Sequence, residues 1–151
     1  MHYLDHAATT PLRPEALGAM QQQWQEVGNP SSLHTAGRRA RRVVEESREQ
    51  IAAIVGAKPA DIIFTSGGTE ADNLALKGLA RNTDRRRVLV SAVEHHAVLD
   101  PAQWLADAQG AALTLRPVDG LGRVDLDVLA HELTGPPVAV CSVMWANNEV
   151  G

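Results

Sequence analysis

The sequence predicts an α/β layer fold with a largely parallel sheet and helices on both faces. Three observations carry that prediction. From Ile62 onward, short apolar runs alternate with longer segments of helical period. The stretches between runs are long enough for crossover helices, which parallel strands require. Three strand exits carry unusual polar residues, as expected where ligands bind at the carboxyl ends of such a sheet.

Each element has its own signal. His2–Pro11 is short and extended and breaks at proline. Pro14 to about Glu26 reads as a helix with Ala16, Leu17, Met20 and Trp24 on one face. Val27–His34 is a loop broken by Gly28 and Asn29-Pro30. Thr35 caps a long helix to about Val55, with Ala40, Val43, Val44, Ile51 and Ile54 at helical spacing. Arg41 with Glu45 and Arg42 with Glu46 form i,i+4 pairs on its wet face, and Gly56 suits the C′ position. Ile62–Thr65 is a strand and about Thr69–Arg81 a helix. Arg87–Ala92 is a second strand, followed by a helix over about Ala97–Gln109 with Pro101 near its start. Ala112–Arg116 is a third strand, Asp119–Gly122 a turn, Asp125–Leu133 a short helix and Val138–Met144 a fourth strand.

Composition narrows the function classes. The 151 residues suffice for one domain with a real core, and 44% are apolar. Net charge is −4, which calls for neither nucleic acid nor a membrane surface. The Arg38–Arg42 cluster reads as a solvated helix face, because acids follow at once. No apolar run approaches the roughly 20 residues of a membrane span. The N-terminus carries no signal-peptide pattern. A single cysteine, Cys141, reads as a small hydrophobe in a central strand and points to a reducing cytoplasm. Lys58 and Lys77 are the only lysines.

The polar exits suggest chemistry. Ser66-Gly67-Gly68-Thr69 joins a strand to a helix, so backbone N–H groups and the helix dipole favour an anion, typically a phosphate. Gly67 and Gly68 allow close backbone approach, and Thr69 offers a hydroxyl and an N–H. The bland alternative is a left-handed glycine turn with Thr69 as N-cap. Glu94-His95-His96 sets two imidazoles side by side, of which one faces the site while the other points away. A neutral imidazole can stack on a planar ligand or move a proton near pH 7. Asn147-Asn148-Glu149 can hydrogen-bond a phenolate-type oxygen or a carboxylate, or simply form a turn. The three segments are expected on one rim. His131-Glu132-Leu133-Thr134-Gly135 fails the H-E-x-x-H metal pattern at its last position, and no metal is expected.

In this order, five motifs resemble those of one family. They are Tyr3-Leu4-Asp5-His6-Ala7-Ala8-Thr9-Thr10-Pro11, Gly28-Asn29-Pro30-Ser31-Ser32-Leu33-His34, Phe64-Thr65-Ser66-Gly67-Gly68-Thr69-Glu70-Ala71-Asp72-Asn73, Glu94-His95-His96-Ala97-Val98-Leu99 and Asn147-Asn148-Glu149-Val150-Gly151. The chain resembles the NifS/IscS-type cysteine desulfurases of the class V aminotransferases, which use pyridoxal 5′-phosphate. The resemblance implies the fold type I large domain of those enzymes over residues 14–151, preceded by an extended segment at 1–13. It implies that Gly68 and Thr69 bind the cofactor phosphate. It gives His95 the role of stacking on the pyridine ring and moving protons. It sets Asn148 beside the ring oxygen and the substrate carboxylate.

The same resemblance implies L-cysteine as substrate, with L-alanine and an enzyme persulfide as products. It also implies a homodimer, and an iron–sulfur scaffold or other sulfur acceptor as partner. A selenocysteine lyase or another class V enzyme shares these motifs. A non-catalytic phosphate-binding domain or a remnant is the reading from a different class. The family's Schiff-base lysine and acceptor cysteine fall beyond residue 151. So do its ring-nitrogen aspartate and carboxylate-binding arginine. Lys58, Lys77 and Cys141 do not match those positions, Lys77 because it lies two turns along its helix from the phosphate loop. Residues 1–151 alone are expected to be unstable or to associate, and to be inactive.

Overall fold

A computed structural model of the chain describes residues 2–149, so Val150 and Gly151 of the last motif lie outside the described residues. The chain divides into two compact units, Met1–Phe64 and Thr65–Gly151.

The first unit carries two helices, α1 (Pro14–Trp24) and α2 (Thr35–Val55). Pro14 starts α1, where its missing N–H costs nothing. The start of α2 differs from expectation. His34, not Thr35, is the N-cap, because His34 has extended backbone angles while Thr35 is already helical. Its Nδ1 accepts from the Gly37 N–H at 3.3 Å. Gly56 ends α2 with φ of 69°, the left-handed conformation expected of a C-cap glycine. Upstream, a turn over residues 6–8 closes with the Thr9 N–H on the Asp5 carbonyl at 3.3 Å.

Ile62–Thr65 is not a strand. Ile62 has extended angles, φ −91° and ψ 123°, but no ladder forms along the segment among the described residues. Arg48 of α2 competes for it. Its guanidinium donates to the Ile62 carbonyl and lies 4.9 Å from the centroid of the Phe64 ring. An extended apolar run therefore packs on a helix here instead of joining a sheet.

The second unit holds α3 (Gly68–Arg81), β1 (Arg87–Ser91), α4 (His96–Gln109), β2 (Ala112–Arg116), α5 (Leu126–Thr134) and β3 (Val138–Ser142). The sheet is parallel, in the order β2-β1-β3. Val90 pairs with Ser142 near the end of β1, so β3 stops there and does not reach Met144. Val88, Leu89 and Val90 of β1 are fully buried, as the middle strand should be. Each such side chain contributes about 1.5–3 kcal/mol relative to exposure.

Alternation sorts the faces. Val88 and Val90 join Val140, Leu76 of α3, and Val98, Ala102 and Leu105 of α4 in one core. Arg87 of β1 and Arg116 of β2 project from the other face, where Glu132 of α5 receives both. The sheet thus has helices on both faces. Cys141 departs from expectation. It is exposed, because β3 is an outer strand and not the central one. No helix among the described residues is long and apolar enough to cross a membrane.

Candidate active site at the carboxyl ends of the strands

The phosphate-loop candidate opens α3. Gly67 is the N-cap, with φ 167° and ψ −179°, and supplies no side-chain cap. The turn is therefore extended at Gly67 rather than left-handed. Thr69 is the second helical residue, so the alternative that makes Thr69 the N-cap does not hold. A Cβ on Gly67 or Gly68 would meet nothing within 4 Å, so the space over both residues is open. Glu70 turns back and accepts from the Ser66 N–H at 2.6 Å and its hydroxyl at 2.7 Å. These bonds, the backbone one foremost, hold the Glu70 carboxyl below the ordinary range. They brace the turn from outside and leave the first-turn N–H groups facing open space.

His95 is the N-cap of α4. Its Nδ1 accepts from the Ala97 N–H at 3.0 Å. That bond fixes the neutral tautomer, with the proton on Nε2. Thr69, Asn73 and Lys77 of α3 face His95, His96, Asp100 and Trp104 across a groove of about 460 Å³. One expectation changes here. Both histidines border the groove. Strand alternation no longer applies there, since α4 begins at His96. His96 Nδ1 lies 3.2 Å from Asp100 Oδ1. Lys77 shares the groove-facing stripe of Thr69, but stands about 12 Å along the axis from it at 1.5 Å per residue. Its Nζ sits 4.7 Å from the centroid of the Trp104 ring.

The exits of β1 and β3 are tied together beneath this rim. Asn147 Nδ2 donates to the Val93 carbonyl at 2.8 Å, and Ser142 Oγ donates to Glu94 Oε1 at 3.2 Å. Glu94 is 7% exposed, the one carboxylate among the buried side chains described. Burial is the main influence and pushes its carboxyl above the usual range, against the Ser142 hydrogen bond. Asn148 follows at the β3 exit and does not border the groove; its Nδ2 donates to Glu149 Oε1 at 3.1 Å. Sequence reasoning put Glu94 and Asn147 in segments expected on the rim but gave neither a role of its own. A lone carboxylate at the end of a buried strand was the available signal for the first. Cys141 has its thiol pushed up by partial burial and then by the Glu94 carboxylate, which keeps it protonated. No cluster of three or more metal-ligating side chains forms among the described residues.

An open parallel sheet with an uncapped helix N-terminus and an imidazole at its rim defines an open α/β domain of the kind whose ligands bind at the strand ends. The chain belongs to the class-V aminotransferase family, whose profile matches residues 2–151. Members of that family and the cysteine desulfurases among them depend in general on pyridoxal phosphate. The IscS-like cysteine desulfurase of Mycobacterium tuberculosis is 52% identical over 157 residues, spanning 100% of this chain and 40% of that protein. A solved NifS-like protein superposes with a TM-score of 0.89 at 35% identity, over 97% of this chain and 41% of the other. A structure described as SspA in complex with cysteine superposes with a TM-score of 0.86 at 30% identity, over 99% and 43%. The chain therefore spans about two fifths of the length of these relatives.

Proposed function

We propose that these residues form part of a pyridoxal-phosphate-dependent cysteine desulfurase, with residues 14–151 in its cofactor-binding large domain and 1–13 as an extended lead-in. The observation that carries the proposal is the groove in which Thr69, at the open start of α3, faces His95. The open space over Gly67 and Gly68 supports a phosphate there, since any side chain would occupy it. Gly68 and Thr69 hold the phosphate through backbone N–H groups and the Thr69 hydroxyl. His95 would stack on the cofactor ring and present Nε2 for proton movement, its Nδ1 being engaged by Ala97. Asn148 lies outside this groove, with its amide on Glu149, and its role at the ring oxygen and the substrate carboxylate rests on the family likeness alone. The cofactor, when bound, supplies an electron sink for bond cleavage at the substrate.

The reaction is L-cysteine plus an enzyme thiol giving L-alanine plus an enzyme persulfide. The sulfur atom leaves the substrate carbon for the thiol, and a proton replaces it. A relative at 52% identity named as an IscS-like cysteine desulfurase supports this substrate, and so does the solved relative described with cysteine. The whole enzyme works as a homodimer in the cytoplasm and passes sulfur to an iron–sulfur scaffold or another acceptor. Lys77 and Cys141 are neither the cofactor lysine nor the acceptor thiol. Lys77 is engaged with Trp104, and Cys141 is held protonated.

The test is alanine release from L-cysteine by the full-length enzyme, with L-selenocysteine as competitor. Thr69→Ala and His95→Asn should each cut alanine release by about 100-fold. Strong preference for selenocysteine would make the enzyme a lyase for that substrate. Pyridoxal phosphate binding without any alanine would leave only the binding-domain reading.

A further inference from the structure

We propose that Glu94 is a positioning residue for His95: its carboxyl locks the turn carrying the imidazole to the outer strand that leads to Asn147 and Asn148. The inference rests on the reading of His95 as the ring-facing group. Three consecutive residues carry it. The Val93 carbonyl is held by Asn147 at 2.8 Å, the Glu94 carboxyl by Ser142 at 3.2 Å, and His95 Nδ1 by Ala97 at 3.0 Å. The first two bonds anchor the turn to the β3 exit, and the third sets the ring on α4. A carboxylate buried to 7% exposure is costly and is retained only where it is well engaged. Here it sits immediately before the imidazole.

The groups acting on Glu94 come from α3, the end of β1 and the β3 exit. Asp72 of α3 opposes its ionisation; Ser142 and the Met144 backbone at the β3 exit favour it, as does Ser91 at the end of β1. Cys141 of β3 feels its charge in turn. No cation is among them. The carboxyl acts through hydrogen bonds to β3 rather than through an ion pair. A carboxamide of the same shape can still accept from Ser142.

The experiment uses the full-length enzyme as Glu94→Gln, Glu94→Ala, Ser142→Ala and the Glu94→Ala/Ser142→Ala double variant. Two quantities are read. One is kcat for alanine release. The other is the tautomer and titration of His95, followed by NMR of isotope-labelled histidine in the cofactor-free protein. Glu94→Ala and Ser142→Ala should each lower kcat by about tenfold. The double variant should lose no more than either single one, since both remove the same bond. Glu94→Gln should recover most of the loss. The His95 resonances should move in both alanine variants and hold in the glutamine one. Unmoved His95 resonances in the alanine variants, or additive losses in the double one, would overturn the proposal. If Glu94→Ala does not fold, Ser142→Ala and Glu94→Gln decide the matter. An unsubstituted enzyme that makes no alanine would sink the desulfurase reading, while the NMR arm would still judge the positioning role.

Discussion

The Ala97 N–H donates to His95 Nδ1 at 3.0 Å, so the imidazole bordering the groove is also the cap of its own helix. The two roles separate by substitution. His95→Asn keeps an oxygen acceptor at the cap and should leave Tm nearly unchanged. His95→Ala removes the cap and should cost about 1 kcal/mol. Both should cut alanine release by the full-length enzyme by about 100-fold. Equal stability of the two variants would show that the cap bond contributes nothing.

Two glycines at helix starts, Gly37 of α2 and Gly68 of α3, should behave in opposite ways. A Cβ at Gly37 would lie 2.3 Å from the Ser32 carbonyl oxygen and 2.8 Å from that of Asn29. These are backbone atoms, so Gly37→Ala should destabilise by about 1–3 kcal/mol. Gly68→Ala meets nothing within 4 Å and should fold normally. Its added methyl lies over the proposed phosphate position, so pyridoxal phosphate should bind more weakly. Chemical denaturation and a cofactor titration read the two effects separately.

Glu94 predicts a pH dependence with a definite sign. Burial raises its folded pKa above the ordinary value of 4.5. Between those two values the folded protein holds more protons than the unfolded chain. Stability is then greatest below the unfolded value and falls as pH rises through the folded one. Glu94→Gln removes this titration. The stability of the variant relative to the original should therefore increase with pH across that window. Urea melts at stepped pH measure it, and a difference that is flat or runs the other way would refute the assignment.

Glu132 holds two half-buried guanidiniums. Arg116 Nη1 reaches Glu132 Oε1 at 3.1 Å, and Arg87 engages both the other oxygen and the Glu132 carbonyl. Their side chains are only 19% and 21% exposed, so removing the carboxylate strands two desolvated cations. Glu132→Ala should cost about 2–3 kcal/mol. A cost within the range of ordinary surface substitutions would show that the arginines find other partners.

Asp119 should lend acid sensitivity to its turn. Its carboxyl accepts from the N–H groups of Leu121 and Arg123 and from the Arg123 guanidinium. The Arg123 backbone bond leads in lowering its pKa to about 2 from 3.8. The contribution is present above 3.8 and is lost as pH falls toward about 2. Asp119→Asn should weaken protection of the Leu121 and Arg123 amides at neutral pH, read by hydrogen exchange.

Much of this was legible in the sequence. β2 falls on Ala112–Arg116 and α2 ends at Val55 as expected, because turn residues and hydrophobic period agree there. The parallel sheet followed from alternation, and Thr69 with His95 border one groove although the segment before Thr69 is not a strand. What failed was long-range. Ile62–Thr65 has the composition of a strand, but composition does not reveal that Arg48 will take its carbonyl. Cys141 was placed inside because its run is apolar, and strand order, which a linear pattern does not encode, put it outside. His34 was passed over as a cap because histidine is a rare choice beside threonine. Asn148 reaches the rim's neighbourhood but not the groove.

The strand order β2-β1-β3 also bears on how the chain reaches this shape. Arg87 pairs with Ala112 on one side and with Val138 on the other, so the middle strand closes two loops of unequal length. The shorter closure costs less entropy and is expected to form first. Until β3 arrives, the Val88–Val90 edge stands open, with its backbone groups available to any passing strand. Productive assembly is therefore a race between the late docking of β3 and encounter with another chain. Dilution, and not added stability, is the lever that favours the first.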